Sequence, residues 1–179
     1  MYSDLKKPMK VYLVDDDQLS LTVLEDSILK KFGKNMIIKT FETGENCLGG
    51  IAANTPDLVV LDYHLDSQAR GAANGIEILK KIKEHHPEVD VIMLSGQAKI
   101  DIAVETMRLG ARDYVVKGET ASFHISQIIL SIIENSAQAQ ELKGYKIGFW
   151  IAIGIISAIL ISILILYNFF PSQARHLHF

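Results

Sequence analysis

The 179-residue sequence holds a single cysteine, Cys47, so no disulfide can form within the chain. That suits a reducing compartment, and Cys47 reads as a small apolar core residue. A basic excess is also missing. The formal net charge is −3, and 15 of the 18 Lys and Arg residues and all 21 Asp and Glu residues precede Leu142, a balance of −6. An acidic surface repels polyanions, so no nucleic-acid partner is expected. The N-terminal MYSDLKKPMK lacks the apolar run of a signal peptide. No internal repeat is visible. A last absence is local: Ile147 to Ala174 contains no Asp, Glu, Lys or Arg. This explains how a chain with 22% charged residues reaches a mean hydropathy of +0.19. Its apolar residues are segregated.

From Val11 to about Ser136, short apolar runs alternate with segments of helical periodicity. Strands are expected at Val11–Val14, Met36–Phe41, Leu58–Leu61, Val91–Leu94 and Tyr114–Val116. Helices are expected at Gln18–Phe32 with Gly33 as its stop, Glu45–Ala53, Gly75–His85, Ile100–Leu109 and Phe123–Asn135. The last helix would bury Ile125, Ile128, Ile129, Ile132 and Ile133. Five short apolar strands separated by helices predict an α/β fold, a doubly wound parallel sheet covered on both faces.

Four of those strands end in polar residues. The first runs into Asp15 and Asp16, the third into Asp62, the fourth into Ser95 and the fifth into Lys117. In an open parallel sheet, ligands bind outside the C-terminal ends of the strands. Residues far apart in sequence would thus share one site. Three carboxylates crowded together raise one another's pKa, and a divalent cation relieves that repulsion. Ligation by carboxylate oxygens, waters and a phosphate is the manner of Mg²⁺. A carboxylate such as Asp62 can attack phosphorus to give an acyl phosphate. Lys117 and the metal would neutralise the phosphoryl oxygens, and the Ser95 hydroxyl would donate to one of them. Gly96 leaves room for the group to approach. Each residue alone is weak, because an Asp pair after a strand is commonly a turn or a helix cap. The order acid pair, acid, hydroxyl, lysine is what carries information.

VYLVDDDQ, LVVLDYHL, VIMLSGQA and GARDYVVKG, taken together, resemble the receiver domains of two-component response regulators. The resemblance covers about Lys10 to Asn135. It implies a five-stranded, flavodoxin-like sheet in the order 2-1-3-4-5. It also implies that Asp62 is the phosphoacceptor and that Asp15 and Asp16 form the acidic Mg²⁺ pair, with Asp16 a direct ligand. Asp62 and the backbone carbonyl of His64 would complete the protein ligands. Ser95 and Lys117 would contact the phosphoryl group, and Tyr114 would turn with Ser95 as a switch. A histidine kinase or a histidine phosphotransfer protein would be the donor. The domain would not be an enzyme beyond its own phosphorylation and dephosphorylation.

Two departures from the family pattern stand out. Gly118 replaces the usual proline after the lysine, and a cis peptide is costly there, so this loop is expected to differ in shape and to leave Lys117 less firmly placed. The segment after Asp62 reads His64-Leu65-Asp66 rather than Met-Pro and continues into a longer polar loop. His64 and Gln97 occupy positions that tune hydrolysis in the family.

The charge-free segment has the length of a membrane span. Ile147 to Tyr167 would make a helix of roughly 30 Å. Tyr145, Phe149 and Trp150 lie at one end, and Tyr167, Phe169 and Phe170 at the other, as interfacial aromatic belts do. No polar face exists to suit a surface helix. The expected organisation is a receiver over 9–136, a stalk over 137–146 with Gly144 as a candidate break, a transmembrane helix over 147–170 and a tail over 171–179. Lys143 and Lys146 against Arg175 favour the receiver on the cytoplasmic side, giving a single-pass protein of the inner cell membrane. Gly154, Ala158 and Ser162 fall on one stripe, which suits pairing of two such helices into a homodimer, although small residues are common in membrane helices.

Within these 179 residues no output domain follows the receiver, so a signal is expected to pass to a downstream protein. A phosphate sink and a non-phosphorylated scaffold are the alternatives. An aspartate-nucleophile phosphatase of the haloacid dehalogenase type is more remote. Asp15-x-Asp17 matches its nucleophile pattern, but Gln18-Leu19 stands where that family has Gly-Thr.

Overall fold

The three central strands are built of residues that suit a sheet buried on both sides. The computed structural model describes residues 7–65 and 74–169, with side chains outside 136–148 and 167–169. Strand β1 (Met9–Val14) is followed by α1 (Gln18–Phe32), a 3-10 turn (Gly33–Asn35), β2 (Met36–Phe41) and α2 (Gly44–Ala53). Then come β3 (Leu58–Asp62), α3 (Gly75–His85), β4 (Asp90–Ser95), α4 (Ile100–Arg108), β5 (Asp113–Val116) and α5 (Ala121–Phe169). All strand pairs are parallel and the order is β2-β1-β3-β4-β5. This is the doubly wound sheet that the sequence predicts.

Alternation along the strands divides the core. Tyr12, Val14, Val59 and Leu61 join Cys47 and Ile51 of α2 and Ile78, Leu79 and Ile82 of α3 in one apolar cluster. Leu13, Val60 and Leu94 face Leu21 and Leu24 of α1. β3 is buried at every position, as a central parallel strand must be. Helix boundaries follow capping chemistry. The Asp17 side chain caps α1, and Gly33 ends it at φ 58°, a conformation that favours glycine. Thr43 caps α2 and Asn74 caps α3.

The chain forms two units, one up to Leu130 and one from Ser131 onward. In the first, Ile125 and Ile129 are buried and Ile128 is half-buried. The candidate break at Gly144 is absent: α5 is helical from Ala121 to Phe169. One glycine costs a helix only about 1 kcal/mol, which the long runs on either side absorb. In the second unit, Phe149–Leu166 has a mean hydropathy of 2.8, and none of it is buried. By length and composition it is a candidate membrane span. The loop over 66–73 and the tail over 171–179 lie outside the described residues.

Candidate functional site

Register brings the polar strand ends together. Val14 pairs with Leu61, so Asp15 and Asp62 are the next residues on neighbouring strands. Asp62 pairs with Leu94 and Ser95 with Val116, which sets Ser95 and Lys117 one step further along. The ladder continues past the strand ends: Tyr63 N donates to Leu94 O at 2.8 Å and Lys117 N to Ser95 O at 2.7 Å. These bonds fix the backbone beside Asp62, Ser95 and Lys117.

The three consecutive aspartates do different work. Asp15 is buried and its Oδ1 accepts from Asp17 N at 3.0 Å. Asp16 is half-buried. Asp17 is exposed and accepts from Leu19 N and from the Ser20 hydroxyl. The Ser20 hydrogen bond, more than any other influence, lowers its pKa. Only the third aspartate is therefore a helix cap.

Lys117 joins the two buried acids. Its Nζ donates to Asp15 Oδ2 at 2.7 Å and to Asp62 Oδ2 at 2.9 Å. Burial pushes the Asp15 carboxyl above its ordinary value, against the hydrogen bonds from Lys117 and Asp17. Burial acts to lower the Lys117 pKa, but its bonds to the two carboxylates and their charges outweigh this and raise it. No cis peptide occurs among the described residues. Gly118 thus changes the family's loop chemistry without displacing the lysine from the acids.

Asp62 is 3% exposed, and its Oδ1 is buried with no hydrogen-bond partner among the described residues. Carboxylate oxygens of Asp15, Asp16 and Asp62 all lie within 4.8 Å of one another. When ionised, these three acids outnumber the one ammonium that bridges two of them. A hard cation with oxygen ligands fits that excess of negative charge. The His64 side chain is exposed and packs edge-on to Tyr63, with ring centroids 4.7 Å apart.

Ser95 is fully buried. Its hydroxyl donates to Gln97 O at 3.3 Å and accepts from Gln97 N at the same distance. Tyr114, half-buried, donates its hydroxyl to the same Gln97 carbonyl at 2.6 Å, and Lys99 N donates there too at 3.1 Å. The carbonyl of Gln97 is thus a shared acceptor for both expected switch residues. Sequence reading singled out Gln97 for its side chain and missed this, because a backbone carbonyl leaves no trace in residue type.

Comparison with known proteins matches this arrangement to one family. Residues 11–129 match the response regulator receiver domain. The chain belongs to that family. The transcriptional regulator NtrC of Salmonella typhimurium is 34% identical over 107 residues, 60% of this chain and 21% of NtrC. The nitrogen assimilation regulator NtrX of Azorhizobium caulinodans is 32% identical over 133 residues, 73% of this chain and 28% of NtrX. This chain therefore spans 21% to 28% of the length of these relatives. The crystal structure of the NtrX receiver domain from Brucella abortus superposes with a TM-score of 0.59 at 30% identity, covering 69% of this chain and 98% of that one. Receiver domains are phosphoacceptor signalling domains. They bind Mg²⁺ at an acidic pocket and interact with histidine kinases or phosphotransfer proteins. The family match leaves the dehalogenase-type reading of Asp15-x-Asp17 without support.

Proposed function

We propose that this chain takes a phosphoryl group on Asp62 from a histidine kinase or a histidine phosphotransfer protein, at a membrane to which helix Phe149–Leu166 anchors it. The carrying observation is the division of labour on Asp62. Lys117 holds Oδ2 at 2.9 Å while Oδ1 has no partner among the described residues. Oδ1 is then the oxygen that attacks. A bond forms from Oδ1 to phosphorus, the P–N bond of the donor's phosphohistidine breaks, and its electron pair returns to the imidazole. Lys117 stays within reach of the oxygens that gain charge. Asp15, Asp16, Asp62 and the His64 carbonyl hold Mg²⁺ in this reading, and the ion supplies charge neutralisation to the phosphoryl oxygens.

The same arrangement supports a switch. Ser95 and Tyr114 share the Gln97 carbonyl. When the Ser95 hydroxyl turns to a phosphoryl oxygen, that carbonyl is left to Tyr114 and Lys99, and the face formed by α4, β5 and the start of α5 changes. A local charge event thus biases a two-state element, and a downstream protein reads the result. The receiver lies in the cytoplasm of a single-pass protein in this reading, with pairing along Gly154, Ala158 and Ser162 as its route to a homodimer.

Acetyl phosphate with Mg²⁺, followed by mass spectrometry, tests the central claim. One labile phosphate on Asp62 is expected, lost in Asp62→Asn. Undiminished labelling of that variant would place the acceptor elsewhere.

A further inference from the structure

The described face of α3 that meets β3 holds a glycine whose place is set by closeness rather than by backbone angle. Gly75 is the first residue of α3, is buried, and does not have positive φ. A Cβ there would fall inside the van der Waals envelope of the Asp62 carbonyl oxygen, 2.8 Å from Tyr63 Cα and 3.1 Å from the Asp62 carbonyl carbon. All three atoms are backbone, so none can swing aside. Gly75 N also donates to Tyr63 O at 3.1 Å. Other crowded glycines meet side chains instead: Gly44 meets Ile78, and Gly50 meets the rings of Phe41 and Tyr12. Gly75 alone among the described glycines is pressed against the main chain of Asp62.

We propose that Gly75 is a positioning residue for the phosphoacceptor. The proposal rests on the reading of Asp62 given above. The start of α3 abuts Asp62 and Tyr63 from one side, and the Tyr63 N to Leu94 O bond holds them from the other. The backbone that carries the carboxylate, and that leads one residue later to His64, is thereby clamped. Leu65, buried at 4% exposure in the core cluster, secures the chain just beyond. A side chain at position 75 would push the Asp62 carbonyl and displace the carboxylate from its place beside Lys117. Displacements near 1 Å cost about a hundredfold in rate where reacting groups must be aligned.

The test compares two variants of the full-length chain in detergent micelles. Gly75→Ala crowds the Asp62 backbone, and Gly50→Ala crowds aromatic side chains of the core. Labelling by acetyl phosphate is followed at saturating Mg²⁺, alongside Mg²⁺ affinity and Tm. Gly75→Ala is expected to slow labelling by about tenfold or more, while Gly50→Ala stays within about twofold even where its Tm falls as far. Equal loss in both variants, in proportion to Tm, would reduce Gly75 to a packing role and overturn the proposal. Wild-type rates in Gly75→Ala would do the same. Absence of label on the wild-type chain would instead defeat the Asp62 reading. If Gly75→Ala does not fold, amide spectra of the ¹⁵N-glycine-labelled wild-type chain decide. The Gly75 resonance should move on adding Mg²⁺ and beryllofluoride, through its bond to Tyr63 O. A resonance that stays still while the chain takes up beryllofluoride would overturn the clamp.

Discussion

Strand β3 and the C-terminal stretch of α5 are both strongly apolar, but they dispose of that surface in opposite ways. Leu58, Val59, Val60 and Leu61 are covered by the chain itself, none more than 2% exposed. From Phe149 to Leu166 every residue is exposed, with Trp150 at 69% and Leu164 at 64%. Leaving a large apolar side chain in water forgoes about 1.5–3 kcal/mol, and eighteen consecutive uncovered residues are far beyond what a water-facing surface holds. The apolar surface of the sheet is covered within the described chain, whereas that of the helix is not. By length and composition Phe149–Leu166 is a candidate membrane span.

The sharpest way to break this contrast is to separate the two regions. The full chain is expected to pellet with membranes and to resist high salt and carbonate, since spanning is held by burial rather than by surface charge. Truncation after Lys143 should release a soluble receiver that still takes phosphate. A truncated chain that stayed with membranes would show that the receiver carries its own membrane contact.

The next effect concerns the charged end of the sheet, where Asp15, Asp62 and Ser95 are buried. Asp16→Ala removes one of the three clustered carboxylates. Mg²⁺ affinity should fall by about tenfold or more, since even outer-shell partners of metal sites are worth that much. Unchanged affinity in a calorimetric titration would place the metal elsewhere. Lys117→Met asks a different question of the same cluster. It leaves Asp15 and Asp62, both 3% exposed, without their shared ammonium. Removing one partner of a buried ion pair costs up to about 3–5 kcal/mol, and the partial exposure of Lys117 brings the expectation down to about 1–3 kcal/mol. Added Mg²⁺ should restore part of that loss in a urea titration. A variant as stable as the parent without Mg²⁺ would show that the acids are relieved by solvent instead.

What the sequence discloses follows the same division. The strands and the first four helices are legible to within a residue or two because the burial that shapes them is local and periodic, whereas the last helix, expected to end at Asn135, runs on to Phe169. Asp15, Asp62 and Lys117 were legible as a set because parallel register places strand ends side by side, and their hydrogen bonds agree. The Gly144 break was not there, since a glycine in a long helix is a cost and not a stop. Gly118 stands where the family has proline and leaves the place of Lys117 open in the sequence; the lysine reaches both acids, with its backbone tied to Ser95. The Gln97 carbonyl and the closeness of Gly75 to Asp62 were invisible. Both depend on where a main-chain atom lies in space, and residue type does not report that.

The smallest expected effect concerns the switch. Tyr114→Phe removes one hydrogen bond to Gln97 O, and Ser95→Ala removes another together with the acceptor for Gln97 N. Each should cost about 0.5–1.5 kcal/mol in a urea titration. Since both hydroxyls meet one carbonyl, the two losses should not add. When one donor goes, the other has the acceptor's lone pairs with less competition, so the double variant should differ from the sum by about 0.5 kcal/mol or more. Beryllofluoride should abolish that coupling, because the Ser95 hydroxyl then serves the phosphoryl mimic and Tyr114 no longer shares its acceptor with it. Coupling that persisted unchanged with the mimic bound would mean that Ser95 never leaves Gln97. Additive single variants would sever Ser95 from Tyr114, and the Gln97 carbonyl would then play no part in carrying a signal to the face formed by α4, β5 and the start of α5.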